Sequence, residues 1–168
     1  MPFRPEKLTV KSQEALQRAQ GLAEERAHSQ LQPLHLLKAL LDESDGVVRP
    51  LLNKIGANAA QLTSLVDGEL ERLPKVTGAA AQVGAAADVM AVLNKAADVA
   101  DEMKDEFVST EHVLLALTEV DGPAQRLLKI NGVEKRDVLA ALQSVRGGQR
   151  VTDRSPEDKF QALEKYGH

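Results

Sequence analysis

Four histidines are the residues of this chain with the widest chemical scope, because imidazole can ligate zinc or act as a general base. They stand at His28, His35, His112 and His168. No two of them are four residues apart, so no helix carries the paired histidines of a local zinc clamp. His35 and His112 each fall near the predicted start of a helix, where a ring nitrogen can hydrogen-bond the backbone. We therefore expect a structural role for both and predict no metal site.

Other groups that could support catalysis are equally dispersed. The 168 residues include no cysteine, which excludes thiolate nucleophiles, disulfides and zinc–thiolate sites. The glycines between Gly78 and Gly84 are not followed by the Lys-Ser/Thr pair of a phosphate-binding loop. Adjacent carboxylates such as Glu24–Glu25 and Asp101–Glu102 are typical of solvated helix faces. We therefore predict a domain that is not an enzyme and binds no cofactor.

The composition limits the kinds of partner that this chain is expected to bind. The net charge is −4 with both signs interspersed, and no basic stripe suggests nucleic acid. No apolar run approaches the roughly 20 residues of a membrane span, and the N-terminus lacks the apolar core of a signal peptide. These features predict a cytoplasmic protein with no nucleic-acid or membrane partner. Aromatic residues are only 2%, so the core must be aliphatic.

The elements that position these residues are duplicated. The segment LQPLHLLKAL at 31–40 matches VSTEHVLLAL at 108–117. His35 thereby pairs with His112 at an offset of 77 residues, and the same offset pairs Leu16 with Leu93. One residue is lost further on, and Gly56 then pairs with Gly132 at an offset of 76. A constant register over about 60 residues indicates a tandem repeat.

Each copy is predicted to contain four helices. The prediction rests on apolar residues at helical spacing and on the positions of cap residues, prolines and glycines. In copy one the caps are Thr9 and Asn58, Pro33 lies in a first turn and Gly56 is a stop. In copy two Ser109 caps the second helix and Gly132 ends the third. In copy one the predicted helices run over about 9–27, 47–54 and 58–73, and the second helix begins at 33. In copy two they run over about 86–104, 121–132 and 134–145, and the second helix begins at 109. The predicted fold is all-α, with the two copies in a pseudo-two-fold arrangement.

The domain organisation follows from the repeat. We predict a double-repeat domain over 1–146, with copy one at about 5–73 and copy two at about 85–146, joined by a loop over 73–84. Residues 147–168 form a non-repeated linker. Within it, Ser155 and Pro156 predict the start of a short helix that carries Phe160 and Leu163.

Two features carry a family resemblance. The segments Pro33–Leu37, PLHLL, and Ser109–Leu114, STEHVL, resemble the N-terminal repeats of the Clp heat-shock family. The tail GGQRVTDRSPEDKFQALEKYG at 147–167, together with LPKV at 73–76, resembles the ClpB-type disaggregases within that family more than the ClpA and ClpC types. The resemblance extends over nearly the whole chain.

The resemblance implies a client-capture function. A domain of this type captures exposed apolar segments of unfolded or aggregated polypeptides and passes them to a hexameric ATPase ring. ATP and magnesium belong to later ATPase domains, the first of which would begin where this chain ends. His168 is either native or the start of a purification tag. The separate fragment is expected to be a monomer.

The candidate client-binding residues lie around the seam between the copies. The residues themselves suggest an apolar groove floor made of Leu8, Val99, Phe107 and Val108, each of which could equally be ordinary core. The resemblance adds three polar residues, Thr9, Asp105 and Glu111. Thr9 is also a predicted helix cap, and Glu111 suits a helix first turn. Relatives often place apolar groove residues where this chain has Lys95 and His112.

An adaptor-docking function is the alternative. The N-terminal domains of ClpA- and ClpC-type protease chaperones would bind a folded partner through an exposed helical face, whereas a client-capture domain would bind many unfolded chains. The two differ in the partners that they retain.

Overall fold

The computed structural model describes residues 3–76 and 83–146, and within these ranges it contains eight α-helices and two strands of two residues each. The helices of copy one are α1 Val10–Glu25, α2 Pro33–Asp42, α3 Val48–Ile55 and α4 Ala59–Glu71. Those of copy two are α5 Ala87–Glu102, α6 Thr110–Glu119, α7 Pro123–Ile130 and α8 Lys135–Arg146. The predicted all-α fold is confirmed. The predicted tail helix with Phe160 and Leu163 lies outside the described residues, as does the rest of the 147–168 linker.

The residues predicted to begin helices do so through side-chain caps. The Thr9 hydroxyl accepts a hydrogen bond from the backbone N–H of Ser12 at the start of α1. The Asn58 side chain accepts one from the N–H of Gln61 at the start of α4. Each bond satisfies a backbone donor that has no partner within its helix. The predicted cap at Ser109 is also confirmed, since its side chain accepts from the third residue of α6.

One glycine ends the third helix of each copy, as the sequence predicts. Gly56 follows α3 with φ 89°, and Gly132 lies just beyond α7 with φ 78°. Both are in the left-handed region, which glycine enters at little cost. The repeat therefore extends to the backbone conformation at its turns.

The first helix of each copy ends about two residues earlier than predicted. Ala27 and Lys104 have φ values of 58° and 59°, and they are repeat equivalents at the offset of 77. The next backbone N–H after each reaches back five residues, from His28 to Ala23 and from Asp105 to Ala100, at 2.9 and 2.8 Å. This is a Schellman stop, which usually uses glycine. Because neither position is glycine, the sequence did not signal the stop.

The core is one aliphatic cluster shared by both copies. Helix α1 packs on α2 and α5 packs on α6, while α3 contacts α8 across the copies. The largest fully buried side chains are all leucines, among them Leu37 and its repeat equivalent Leu114. The predicted aliphatic core is thus confirmed.

Two short parallel strand pairings cross between the copies, and they were not predicted. Strand β1, Gln30–Leu31 of copy one, pairs with β2, Gly84–Ala85, which leads into copy two. Its repeat equivalent is the bridge between Leu8 and Val108. In both pairings the leading segment of one copy lies beside the segment that precedes the second helix of the other. The copies therefore exchange backbone hydrogen bonds as well as side-chain contacts.

Candidate functional site

A cleft of about 200 Å³ lies where the N-terminal segment of copy one meets copy two. We call it the seam cleft, and its lining residues are Arg4, Lys7, Ala97, Ala100, Asp101, Asp105, Glu106 and Val108. Small apolar side chains of α5 and Val108 provide apolar lining. The two basic residues belong to the N-terminal segment and the acidic ones to copy two. This arrangement can accept a small apolar side chain flanked by polar backbone or charged groups.

The structure places the four predicted apolar residues differently from one another. Leu8, Val99 and Val108 are buried, and of these Val108 lines the seam cleft. Leu8 pairs with Val108 through the backbone bridge. Phe107 is half-buried, and the ammonium of Lys7 lies 5.8 Å from its ring centroid. A direct client contact by these residues stays a prediction, and Phe107 and Val108 are the better placed of the four.

Thr9 is a structural residue on the evidence of its contacts. Its side chain is buried, and its hydroxyl lies 3.2 Å from the Ser12 backbone nitrogen and 3.0 Å from the Ser12 hydroxyl oxygen. The Thr9 backbone N–H also donates to the Val108 carbonyl at 3.0 Å. Thr9 therefore fixes the segment beside the cleft, while its side chain faces inward. A role in client handling stays a prediction and would act through this segment.

Replacing Thr9 with alanine should lower the free energy of unfolding by about 1 kcal/mol, because the first turn of α1 loses its cap. Client affinity should not change beyond that effect. Urea unfolding and a client titration on the same sample measure both quantities. Thr63→Ala is the matched control, since the Thr63 hydroxyl bonds the Ala59 carbonyl inside a helix. Lost client binding at unchanged stability would contradict a purely capping role.

Asp105 and Glu111 meet in a buried ion network whose third member is Arg146. The Arg146 Nη1 lies 2.8 Å from Asp105 Oδ2, and its Nη2 lies 2.8 Å from Glu111 Oε2. The Arg146 Nε also donates to Glu111 Oε2 at 3.2 Å. Both carboxylate side chains have no exposed surface, and the arginine side chain is 5% exposed. A client in this conformation would meet the segment that they hold rather than the carboxylates themselves.

His112 extends the network and confirms the predicted structural role of this histidine. The backbone N–H of Ser109 donates to His112 Nδ1 at 2.9 Å. A neutral ring must then carry its proton on Nε2, which donates to Asp105 Oδ2 at 2.7 Å. Burial, the largest influence on Glu111, would raise its pKa, but the charge of Arg146 and the hydrogen bonds from Arg146 and Ser109 hold the pKa of Glu111 below its ordinary value.

The equivalent place in copy one holds a histidine pair. His35 Nδ1 accepts from the Gln32 backbone N–H at 2.9 Å, as predicted for a ring at a helix entry. Its Nε2 lies 2.8 Å from Nδ1 of His28, the repeat equivalent of Asp105. Burial, reinforced by the neighbouring His28, lowers the pKa of His35 to about 4. Burial also lowers the pKa of His28. Both rings are therefore neutral near pH 7.

These ionic and imidazole side chains contact one another and the backbone. Within residues 3–76 and 83–146, no group of three or more His, Asp or Glu side chains could hold a metal ion. No helix in the same ranges is long and apolar enough to cross a membrane. The network of Arg146 with Asp105, Glu111 and His112 has a structural effect. It fixes the loop between α5 and α6, whose surface forms part of the seam cleft.

Arg146 is the site residue that sequence reasoning missed. A signal was present in the repeat, because Glu111 falls on Leu34 and Arg146 on Leu70 at the offsets of 77 and 76. Two core leucines of one copy are thus replaced by opposite charges in the other. Paired substitutions of this kind indicate a buried contact, since either charge alone would be costly.

Comparison with known proteins gives concordant results. Residues 7–131 match the family model described as the Clp repeat (R) N-terminal domain. A chaperone protein ClpB of Rhodopirellula baltica is 41% identical over 167 residues, which is 99% of this chain and 19% of the relative. The ClpB of Vibrio cholerae serotype O1 is 39% identical over 164 residues, 98% of this chain and 19% of the relative. The chain spans about a fifth of the length of these curated relatives.

Solved structures with the same fold include other N-terminal domains. The Hsp104 N-terminal domain from Candida albicans has a TM-score of 0.80 at 24% identity, covering 90% of this chain and 99% of that one. The N-terminal domain of the ClpV1 ATPase from E. coli has a TM-score of 0.72 at 22% identity, covering 84% and 87%. These likenesses show the fold. Because the family match extends over well more than half of the sequence, the chain belongs to the Clp repeat (R) N-terminal domain family, as a domain of the ClpB type.

Proposed function

We propose that this domain captures exposed apolar segments of unfolded or aggregated polypeptides at the seam cleft. As part of a longer ClpB-type chaperone, it would pass them to a hexameric ATPase ring in which later domains bind ATP and magnesium. The observation that carries the proposal is the seam cleft itself, where apolar lining from Ala97, Ala100 and Val108 lies beside charged side chains of both signs. An unfolded chain offers the matching groups, apolar side chains next to unpaired backbone.

The expected affinity is weak. Burial of on the order of 400 Å² of apolar surface is worth roughly 10 kcal/mol at about 25 cal/mol per Å². Association and ordering costs of roughly 4–15 kcal/mol offset most of that gain. Micromolar or weaker binding follows, which suits a domain that must release its client. Several domains tethered to one ring would raise the effective affinity.

A charge placed in the seam cleft should weaken capture strongly. Ala97→Glu puts a carboxylate among the apolar lining, and we expect at least tenfold weaker binding of an unfolded probe protein, reduced and carboxymethylated α-lactalbumin. The measurement is a titration followed by amide NMR shifts. Ala91→Glu is the matched control, because Ala91 lies on the exposed side of the same helix.

Two outcomes of this titration would count against the proposal. Absence of shifts around the seam cleft of the unaltered domain at high probe concentration would reject client capture at this site. Equal binding by the Ala97→Glu and Ala91→Glu variants would move the client elsewhere on the domain. Amide shifts that follow the seam residues and disappear only with Ala97→Glu are the expected result.

Adaptor docking is a second candidate, favoured by a separate face of copy two. Ile130 at the end of α7 is 75% exposed, the most exposed large hydrophobic side chain among the described residues. Beside it, a depression of about 500 Å³ is lined by residues that include Lys129, Val133 and Leu139. A pull-down with the unaltered domain and with Ile130→Ser separates the functions. One stoichiometric folded partner lost with Ile130→Ser favours docking, whereas a mixed set of denatured proteins retained by both favours capture.

A further inference from the structure

The repeat provides an internal comparison for Arg146. Its equivalent in copy one is Leu70, and the equivalent of its partner Glu111 is Leu34. All four side chains are buried. The two copies therefore fill the same position between their second and fourth helices, once with two hydrocarbon side chains and once with an ion pair.

Stability alone does not require the charged version. Burial of an ion pair carries a desolvation penalty that its attraction barely repays, and a hydrophobic replacement of similar volume is often as stable or more stable. Copy one contains that replacement and has the same fold. The charges of copy two must therefore be explained by something other than filling the core.

The contacts of Arg146 point to the cleft wall. Its guanidinium holds Asp105, where the α5–α6 segment begins, and Glu111, in the first turn of α6. Between these two points Val108 exchanges backbone hydrogen bonds with the N-terminal segment, donating to the Lys7 carbonyl at 2.8 Å and accepting from Thr9. One side chain thus clamps both ends of a segment whose residues Asp105, Glu106 and Val108 line the seam cleft.

Asp105 belongs both to the Arg146 clamp, the set of contacts from Arg146 to Asp105 and Glu111, and to the lining of the seam cleft. It lines the seam cleft, and the same oxygen that binds Arg146 also accepts from His112. In copy one the equivalent residue, His28, contacts His35 and no arginine is equivalent to Arg146. The clamp is therefore specific to the copy whose segment forms the cleft.

On the basis of the client-capture function proposed above, we infer that Arg146 is a positioning residue of the seam cleft. It contacts no client, but it clamps Asp105 and Glu111 so that residues 105–108 keep the conformation that forms the cleft wall. Because Arg146 ends α8, the same clamp ties the cleft to the C-terminal end of the double repeat. The clamp is thus a specific feature of binding rather than of folding.

The test transplants the copy-one residues into copy two. The triple variant Asp105→His, Glu111→Leu, Arg146→Leu replaces the clamp with its own repeat equivalents. Leu70→Met is the matched control, a volume-conserving change at the equivalent position. Each sample is measured twice, by urea unfolding and by fluorescence anisotropy with labelled, reduced and carboxymethylated α-lactalbumin.

We expect the triple variant to unfold at a urea concentration close to that of the unaltered domain and to bind the probe at least tenfold more weakly. Leu70→Met should bind as the unaltered domain does. A triple variant that binds within twofold of the unaltered domain would overturn the inference. So would a triple variant that cannot fold, because the charges would then be needed for stability.

A conservative variant provides a second test of the positioning role of Arg146. Arg146→Lys keeps the charge but lacks the planar fork that reaches two carboxylates at once. We expect it to fold, to bind the probe at least threefold more weakly, and to shift the amide resonances of residues 105–111. Unchanged affinity would reject the positioning role. If the unaltered domain itself does not bind the probe, the proposed function fails and not the clamp, whose effect on the 105–111 resonances is still measurable.

Discussion

Replacing Arg146 with alanine should lower the free energy of unfolding by about 3–5 kcal/mol. The substitution leaves Asp105 and Glu111 buried without their shared counter-charge, and an uncompensated buried carboxylate is far more costly than a missing contact. Urea unfolding at neutral pH, with linear extrapolation to water, measures the change. A loss of this size is a large part of the 5–15 kcal/mol that stabilises a typical domain.

The control for this prediction is an exposed arginine. Arg72 forms an ion pair with Glu69 at 2.9 Å, but the arginine side chain is 78% exposed. Arg72→Ala should therefore cost less than about 1 kcal/mol. If both alanine variants unfold at the same urea concentration, the buried network contributes no more than a surface pair and the argument for its burial cost is wrong.

Acidification should destabilise the domain strongly, by about 2–3 kcal/mol between pH 6.5 and pH 4.5, through His35. The pKa of His35 is near 6.5 in an unfolded chain and about 4 in the folded domain. Over this range the unfolded state binds the additional proton, so stability is present above pH 6.5 and is lost as the pH falls toward 4. The lowered pKa of Glu111 adds a further loss at still lower pH, because its ionised form is the one that the fold stabilises.

A variant that cannot titrate isolates the histidine. His35→Gln removes the proton equilibrium and keeps a side-chain acceptor at the third position of α2, where glutamine suits a capping box. Urea unfolding at pH 6.5 and 4.5 should show less than half of the original decline, with the remainder from His28. An equal decline in the variant would assign the acid sensitivity to other groups.

Local signals in the sequence were sufficient for the helices. Apolar residues at helical spacing, Thr9 and Ser109 as caps, and Gly56 as a stop are properties of neighbouring residues, and each has a local physical cause. The two early helix ends at Ala27 and Lys104 were not predictable in this way, since the left-handed conformation there is imposed on residues that do not favour it.

Long-range features were harder to predict, because they join residues far apart in the sequence. The bond between Arg146 and Asp105 spans 41 residues, and Arg146 ends a helix that otherwise reads as an ordinary amphipathic element. The burial of Thr9, Asp105 and Glu111 beside the seam cleft was not predicted. Burial of a charged side chain is decided by its partner, which the spacing along one helix does not reveal.

The crossed strand pairings have a consequence for how this fold arose. A chain with a single copy could satisfy both pairings only as a homodimer, in which the bridge of Leu8 with Val108 and that of Leu31 with Ala85 would be one symmetric contact made twice. Covalent fusion of two such subunits makes the association independent of concentration. It also removes the requirement that every substitution appear on both sides of the axis. The two halves could then differ, so that one has Leu34 and Leu70 where the other has Glu111 and Arg146, and a fold with two similar halves comes to have one specialised face.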